Sequence, residues 1–152
     1  MRNEIGTLGE NIFNLAISRN YKFRSMHLGE KWPISDFYVE LIGTKRTMFF
    51  VVQIKSTDQG LNSNGNLKIN LPKIKLHSLN SYYCPTYLAG VNNLTEKVYL
   101  KSINRKSHKG ISSLPLIFEL NKVNLDLLYD EVIEFWSNSN IEKYKSSFKH
   151  KM

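Results

Sequence analysis

The chain has a single cysteine, Cys84, so it can form neither an internal disulfide nor a cysteine zinc cluster. No apolar run is long enough to span a bilayer. Met1-Arg2-Asn3-Glu4 lacks the apolar core of a signal peptide. There is no internal repeat, linker or low-complexity tract. These absences argue against a disulfide-stapled secreted module and a membrane protein, and a reducing, cytoplasmic setting is the expectation. Acidic residues are the scarcer charge: 13 Asp and Glu stand against 21 Lys and Arg, a formal net charge of +8. That excess suits a polyanionic partner, or serves solubility alone. What is present is enough for a core. At 152 residues, with 41% apolar and 12% aromatic residues, one globular domain over 1–152 is expected rather than a disordered chain.

The most informative stretch is Val51-Val52-Gln53-Ile54-Lys55-Ser56. Positions two apart on a strand share a face. Val51, Gln53 and Lys55 therefore point one way, and Phe50, Val52 and Ile54 the other. Asp36-Phe37-Tyr38-Val39-Glu40-Leu41-Ile42 alternates as well, with Phe37, Val39 and Leu41 on one face and Asp36, Tyr38 and Glu40 on the other. The polar link Gly43-Thr44-Lys45-Arg46-Thr47 reads as the turn of an antiparallel hairpin. With its tight end around Thr44–Arg46, Ile42 pairs with Thr47, and counting back sets Asp36 opposite Gln53. Cross-strand partners share a face, so Asp36, Gln53 and Lys55 converge. A one-residue slip would turn the apolar faces to opposite sides, so burial protects the register.

Around this hairpin the remaining elements follow from pattern. Asn3 to about Arg19 reads as a helix with Ile5, Leu8, Ile12, Leu15 and Ala16 as its apolar stripe. Glu10 sits at the edge of that stripe, either as an ordinary solvated carboxylate or leaning over the sheet. Gly6 and Gly9 cost helix stability and require a reason such as close packing. A short strand is expected around Tyr21–Met26, and the isolated His27 reads as a loop or surface residue. The Gly- and Asn-rich segment Ser56–Asn66 is a loop, functional or merely flexible. Leu67–Leu71 alternates as a strand, and Pro72 opens a helix to about Tyr82 that carries Lys73 and Lys75. Tyr82 and Tyr83 read as packing residues. Thr86–Val91 and Lys97–Ile103 are further strands, giving an α/β fold with a mixed central sheet flanked by helices. A basic loop with Arg105, Lys106, His108 and Lys109 follows, then an edge strand at Leu116–Leu120. Asn124 is positioned to cap a helix from Leu125 to Trp136 with Leu125, Leu128, Val132 and Phe135 on its apolar side. The tail from Ile141 to Met152 is either a basic arm or a frayed helix.

Glu10 on a helix, Asp36 on one strand and Gln53-Ile54-Lys55 on the next, followed by a helix, resembles the PD-(D/E)XK nuclease superfamily. Ile5-Gly6, Gly9-Glu10, Asp36 with Val39-Glu40, Val52–Ser56, Tyr82-Tyr83, Pro85 and Val98-Tyr99-Leu100 resemble a bacterial branch that carries Gln-x-Lys in place of Glu-x-Lys. Members of that branch occur with mobile elements and with antiphage or restriction genes. The resemblance covers about Met1 to Ile103. It implies a restriction-endonuclease-like core over about 1–103 with a C-terminal strand and helices over 104–152. It also implies a DNA endonuclease that uses Mg²⁺, with Mn²⁺ as a substitute. Asp36, Gln53 and the Ile54 carbonyl would hold the metal with Glu10 nearby, and Lys55 would orient or deprotonate the attacking water. Lys73, Lys75, Arg105, Lys106 and Lys109 become candidates for DNA backbone contacts. Enzymes of this type often dimerise or act with a partner subunit of a defence system. Two features depart from the pattern: Pro33 does not directly precede Asp36, and Gln53 supplies no negative charge. The alternative is a catalytically inactive nucleic-acid-binding or regulatory subunit on the same fold; a protein-interaction module with a basic surface is the third reading.

Overall fold

The computed structural model describes residues 2–29, 31–32, 35–103, 109–139 and 145–148. Its elements are α1 (Arg2–Ser18), β1 (Phe23–His27), β2 (Phe37–Leu41), β3 (Phe49–Thr57), β4 (Leu67–Leu71), α2 (Lys73–Leu79), β5 (Thr86–Asn92), β6 (Lys97–Ser102), β7 (Ile111–Leu114) and α3 (Lys122–Ser137). A five-stranded sheet has the order β1-β2-β3-β5-β6, and β4 pairs with β7 in a separate two-stranded sheet. In the larger sheet only β3 and β5 are parallel; the other neighbours are antiparallel. The fold is therefore α/β with a mixed central sheet, as expected. Among the described residues, no helix is long and apolar enough to cross a membrane.

The β2–β3 hairpin has the register that alternation predicts. Phe37 lies opposite Val52, Tyr38 opposite Val51, Val39 opposite Phe50 and Glu40 opposite Phe49. The Leu41 amide continues the series by donating to the Met48 carbonyl at 2.9 Å. Gly43 turns the chain at φ +90°, a backbone state that a side chain disfavours.

Burial divides the central sheet into two apolar faces. Phe37, Val39, Phe50, Val52 and Ile54 meet Phe13 and Ile17 of α1 and Leu125, Leu128 and Val132 of α3. On the other side, Leu88 and Tyr99 join Leu67, Ile69 and Leu71 of β4, Leu76 and Leu79 of α2, and Leu114 of β7. Gly90 on β5 makes room for this layer. A Cβ there would stand 2.5 Å from Leu114 Cδ1 and 2.9 Å from Leu67 Cδ2.

Five local expectations need correction. The buried stripe of α1 is Gly9, Ile12, Phe13, Ala16 and Ile17, while Leu8 and Leu15 are 46% and 58% exposed. The phase is set at Gly9, where a Cβ would fall 2.4 Å from the Ser56 Cβ; only glycine lets the helix lie this close to β3. The helix after Pro72 ends at Leu79 rather than Tyr82. Leu116–Phe118 is a single 3₁₀ turn after Pro115, with only Glu119 bridging to Tyr99, instead of an edge strand. The strand in this region is the serine-containing β7, whose periodicity is weak because it has only four residues. Finally, α3 begins earlier than expected. Asn121 caps it by accepting from the Asn124 amide at 2.9 Å, and Asn124 instead donates its side-chain N–H to the Glu119 carbonyl at 2.7 Å. Phe135 is exposed rather than buried.

Candidate functional site

Asp36 precedes β2 and is held by backbone on both sides. Its amide donates to the Val52 carbonyl at 2.9 Å, and its carbonyl accepts from the Leu28 amide at 2.9 Å. The side chain turns to β3. Its Oδ2 accepts from the Ile54 amide at 2.6 Å and from Gln53 Nε2 at 2.7 Å. Gln53 is only 8% exposed, and its Nε2 also approaches the Ile54 carbonyl at 3.3 Å. Among the described residues, no hydrogen bond reaches the other Asp36 oxygen, Oδ1.

Burial is the main influence on Asp36 and raises its pKa above the ordinary aspartate value. The Ile54 N–H opposes this, as do the charges of Lys55, His27 and Lys75. The predicted convergence of Asp36 with Gln53 is thus a direct hydrogen bond. Lys55 meets Asp36 through its charge, from the same strand face as Gln53.

Glu10 approaches from α1. The helix is fastened to the sheet where Ser56 Oγ and Asn93 Nδ2 both donate to the Ile5 carbonyl, at 3.1 and 3.2 Å. Nine residues further along the helix, Asn14 and Ser25 join α1 to β1 through their side chains. Between these fastenings, Glu10 Oε2 lies 3.0 Å from His27 Nε2. Burial raises the Glu10 pKa, His27 lowers it, and the Asp36 charge raises it again. Glu10 therefore leans toward the sheet, within electrostatic reach of Asp36. No hydrogen bond joins the two carboxylates among the described residues.

His27 lies at the surface, as the sequence suggests, but on a strand and with a partner that sequence reasoning missed. It ends β1 opposite Phe37, meets that ring in a tilted contact with centroids 5.2 Å apart, and links Glu10 to the Asp36 region. Isolated in the sequence, it carries no spacing signal. Only the β1–β2 register brings it beside the position that follows Asp36.

The basic residues divide into two groups. Lys73 and Lys75 are exposed on α2, and the Lys75 charge is felt at Asp36. Lys109 is exposed, and its neighbour Gly110 lies against the backbone of Leu71 to Lys73, so the basic segment rejoins the fold at the start of α2. Arg105 and Lys106 lie outside the described residues, as do His108 and most of the basic tail.

Asp36, Gln53 and the Ile54 carbonyl are hard oxygen donors of the kind Mg²⁺ prefers, and Glu10 adds a second carboxylate within reach. The Asp36 charge adds to the burial that raises Glu10, and a cation between the two carboxylates would relieve that repulsion. Among the described residues, no three His, Cys, Asp or Glu side chains form a metal-holding group.

No family model, curated protein or solved structure matches the chain.

Proposed function

We propose that the chain is a metal-dependent DNA endonuclease on a restriction-endonuclease-like core, acting in the cytoplasm in antiphage defence, restriction or mobile-element DNA processing. The observation that carries this reading is the hydrogen-bonded Asp36–Gln53 pair under the charge of Lys55, with the Glu10–His27 pair beside it. When bound, a divalent cation would neutralise phosphate charge and lower the pKa of the attacking water so that it gives up its proton more readily. Asp36 would hold that cation through Oδ1, Gln53 through its amide oxygen, and Ile54 through its carbonyl. Lys55 would donate to a phosphate oxygen or orient the attacking water from the shared strand face. Glu10, oriented by His27, would anchor the same charge from the helix side. Lys73, Lys75 and Lys109 would contact the DNA backbone, which sets affinity without reading sequence.

One observation favours the second reading, a non-catalytic nucleic-acid-binding or regulatory subunit. Gln53 Nε2 and the Ile54 amide both donate to Asp36 Oδ2, so this oxygen is satisfied as it would be in a purely structural clasp at the start of β2. Cleavage assays separate the two readings. Plasmid, linear, branched and single-stranded DNA would be incubated with Mg²⁺, Mn²⁺ or EDTA, beside folded Asp36→Ala and Lys55→Ala proteins. Metal-dependent cutting that both substitutions abolish is the expected result. Binding without cutting, unchanged by either substitution, would support the inactive subunit.

A further inference from the structure

An aromatic groove of about 390 Å³ opens on the strand face that carries Gln53 and Lys55. Tyr38 and Val51, a cross-strand pair, form its floor. They lie two positions along each strand from Asp36 and Gln53, about 7 Å at the rise of a strand. Three rings continue from this floor. Tyr38 and Phe49 are 5.0 Å apart and inclined by 32°; Phe49 and Trp136 are 5.0 Å apart and inclined by 36°. Trp136 Nε1 donates to the Phe49 carbonyl at 2.8 Å, which fixes the indole on the sheet.

The rim is exposed. Trp32 is 52% and Tyr83 is 83% accessible, and both line the groove. Reading Tyr82-Tyr83 as packing residues therefore fails at Tyr83, because α2 stops at Leu79 and leaves this tyrosine at the mouth. Exposed aromatic side chains have a cost in water, and here they gather beside the Asp36–Gln53 pair and the lysines that act on it. The charges of Lys55 and Lys75 act at the Asp36 end. Glu40, which shares this strand face with Asp36, interacts with Tyr38 on the side away from Asp36. Lysine charges at one end and ring faces at the other match the two halves of a nucleotide. Every base offers a face to stack, provided it is not already stacked in a duplex.

We propose that this groove holds an unstacked base of single-stranded or unpaired nucleic acid, with the adjoining phosphate directed toward Asp36, Gln53 and Lys55. The inference rests on the nuclease reading for the role of that phosphate, but base capture stands on the groove itself. The preferred substrate class is thus a strand with exposed bases, such as a junction, flap, loop or single strand, rather than an intact duplex.

The test uses the full chain and its own fluorescence, since Trp32 and Trp136 are the protein's two tryptophans and both line the groove. Oligo(dT), oligo(U) and a blunt duplex would each be titrated in EDTA. The single strands should quench tryptophan emission and bind more tightly than the duplex, and the two oligomers separate DNA from RNA preference. Tyr83→Ala should weaken single-strand binding about tenfold, whereas Tyr83→Phe, which keeps the ring, should stay within about twofold. Trp32→Ala provides a second variant at an exposed position. Equal duplex binding without quenching, or Tyr83→Ala binding like wild type, would overturn the proposal. So would a dimer by light scattering that Tyr83→Ala dissolves, since a second copy would then occupy the groove. Quenching that depends on Tyr83 without any metal-dependent cutting would keep the groove and remove the nuclease reading. Cutting indifferent to Tyr83→Ala would do the reverse.

Discussion

Gln53 donates its side-chain N–H to the carboxylate of Asp36 across the β2–β3 hairpin, at 2.7 Å. A glutamate at this position could not make that bond. A buried and a half-buried carboxylate would face each other, and each would raise the proton affinity of the other. The glutamine thus lets the site close without a cation while keeping an oxygen that can hold one.

Gln53→Glu is therefore expected to destabilise the protein in EDTA by about 1–3 kcal/mol, through the lost bond and the added repulsion. Mg²⁺ should recover more stability in Gln53→Glu than in wild type, because binding to the native state alone stabilises it by mass action. Thermal melts with and without the ion measure both effects. Equal stabilisation of the two proteins would remove Gln53 from the metal-binding set.

Asp36 gives a pH prediction. Burial raises its folded pKa above the unfolded value, so the folded state holds its proton more tightly than the unfolded state does. Its contribution is most favourable below the unfolded pKa and is lost as pH rises through the folded pKa. Asp36→Asn keeps an oxygen to accept from Ile54 and Gln53 but has nothing to ionise. Its stability relative to wild type should increase from acid toward neutral pH in urea titrations in EDTA, while cleavage is abolished. A difference that does not change with pH would refute the buried, elevated carboxylate.

The Glu10–His27 pair should contribute little to stability, since both side chains are partly exposed and such pairs are worth less than about 1 kcal/mol. Its value would lie in orientation. His27→Ala should leave the melting temperature nearly unchanged and reduce cleavage, with little further loss when Glu10→Gln is added. Additive losses in that double-mutant cycle would mean that the two residues act separately.

Gly9→Ala should cost about 1–3 kcal/mol, because the new methyl would sit 2.4 Å from the Ser56 Cβ. In the Gly9→Ala, Ser56→Gly double variant the obstruction is gone, so chemical denaturation should show the combined loss falling short of the sum of the single losses. Strict additivity would show that α1 does not press on β3 at this point.

Much of the architecture was legible because it follows from local periodicity. Alternation with an opposing apolar face allows one productive register for β2 and β3, and that register alone brings Asp36 to Gln53. The position of Glu10 was only half legible. Two apolar stripes overlap on α1 at helical spacing, and the chain uses the one that contains Gly9, Phe13 and Ile17. The decisive contact, Gly9 against Ser56, links residues 47 positions apart in the sequence.

The amino-acid sequence by itself determined the central hairpin, its polar face and the Asp36–Gln53–Lys55 convergence, because strand alternation and apolar burial act over a few residues. The tertiary structure alone decided the remainder. It chose the phase of α1 and thereby carried Glu10 to His27, paired β7 with β4, and gathered Trp32, Tyr83 and Trp136 around one groove. These relationships depend on close packing between distant segments, where one glycine or one helix end sets what a whole face can touch, and no local periodicity encodes that choice.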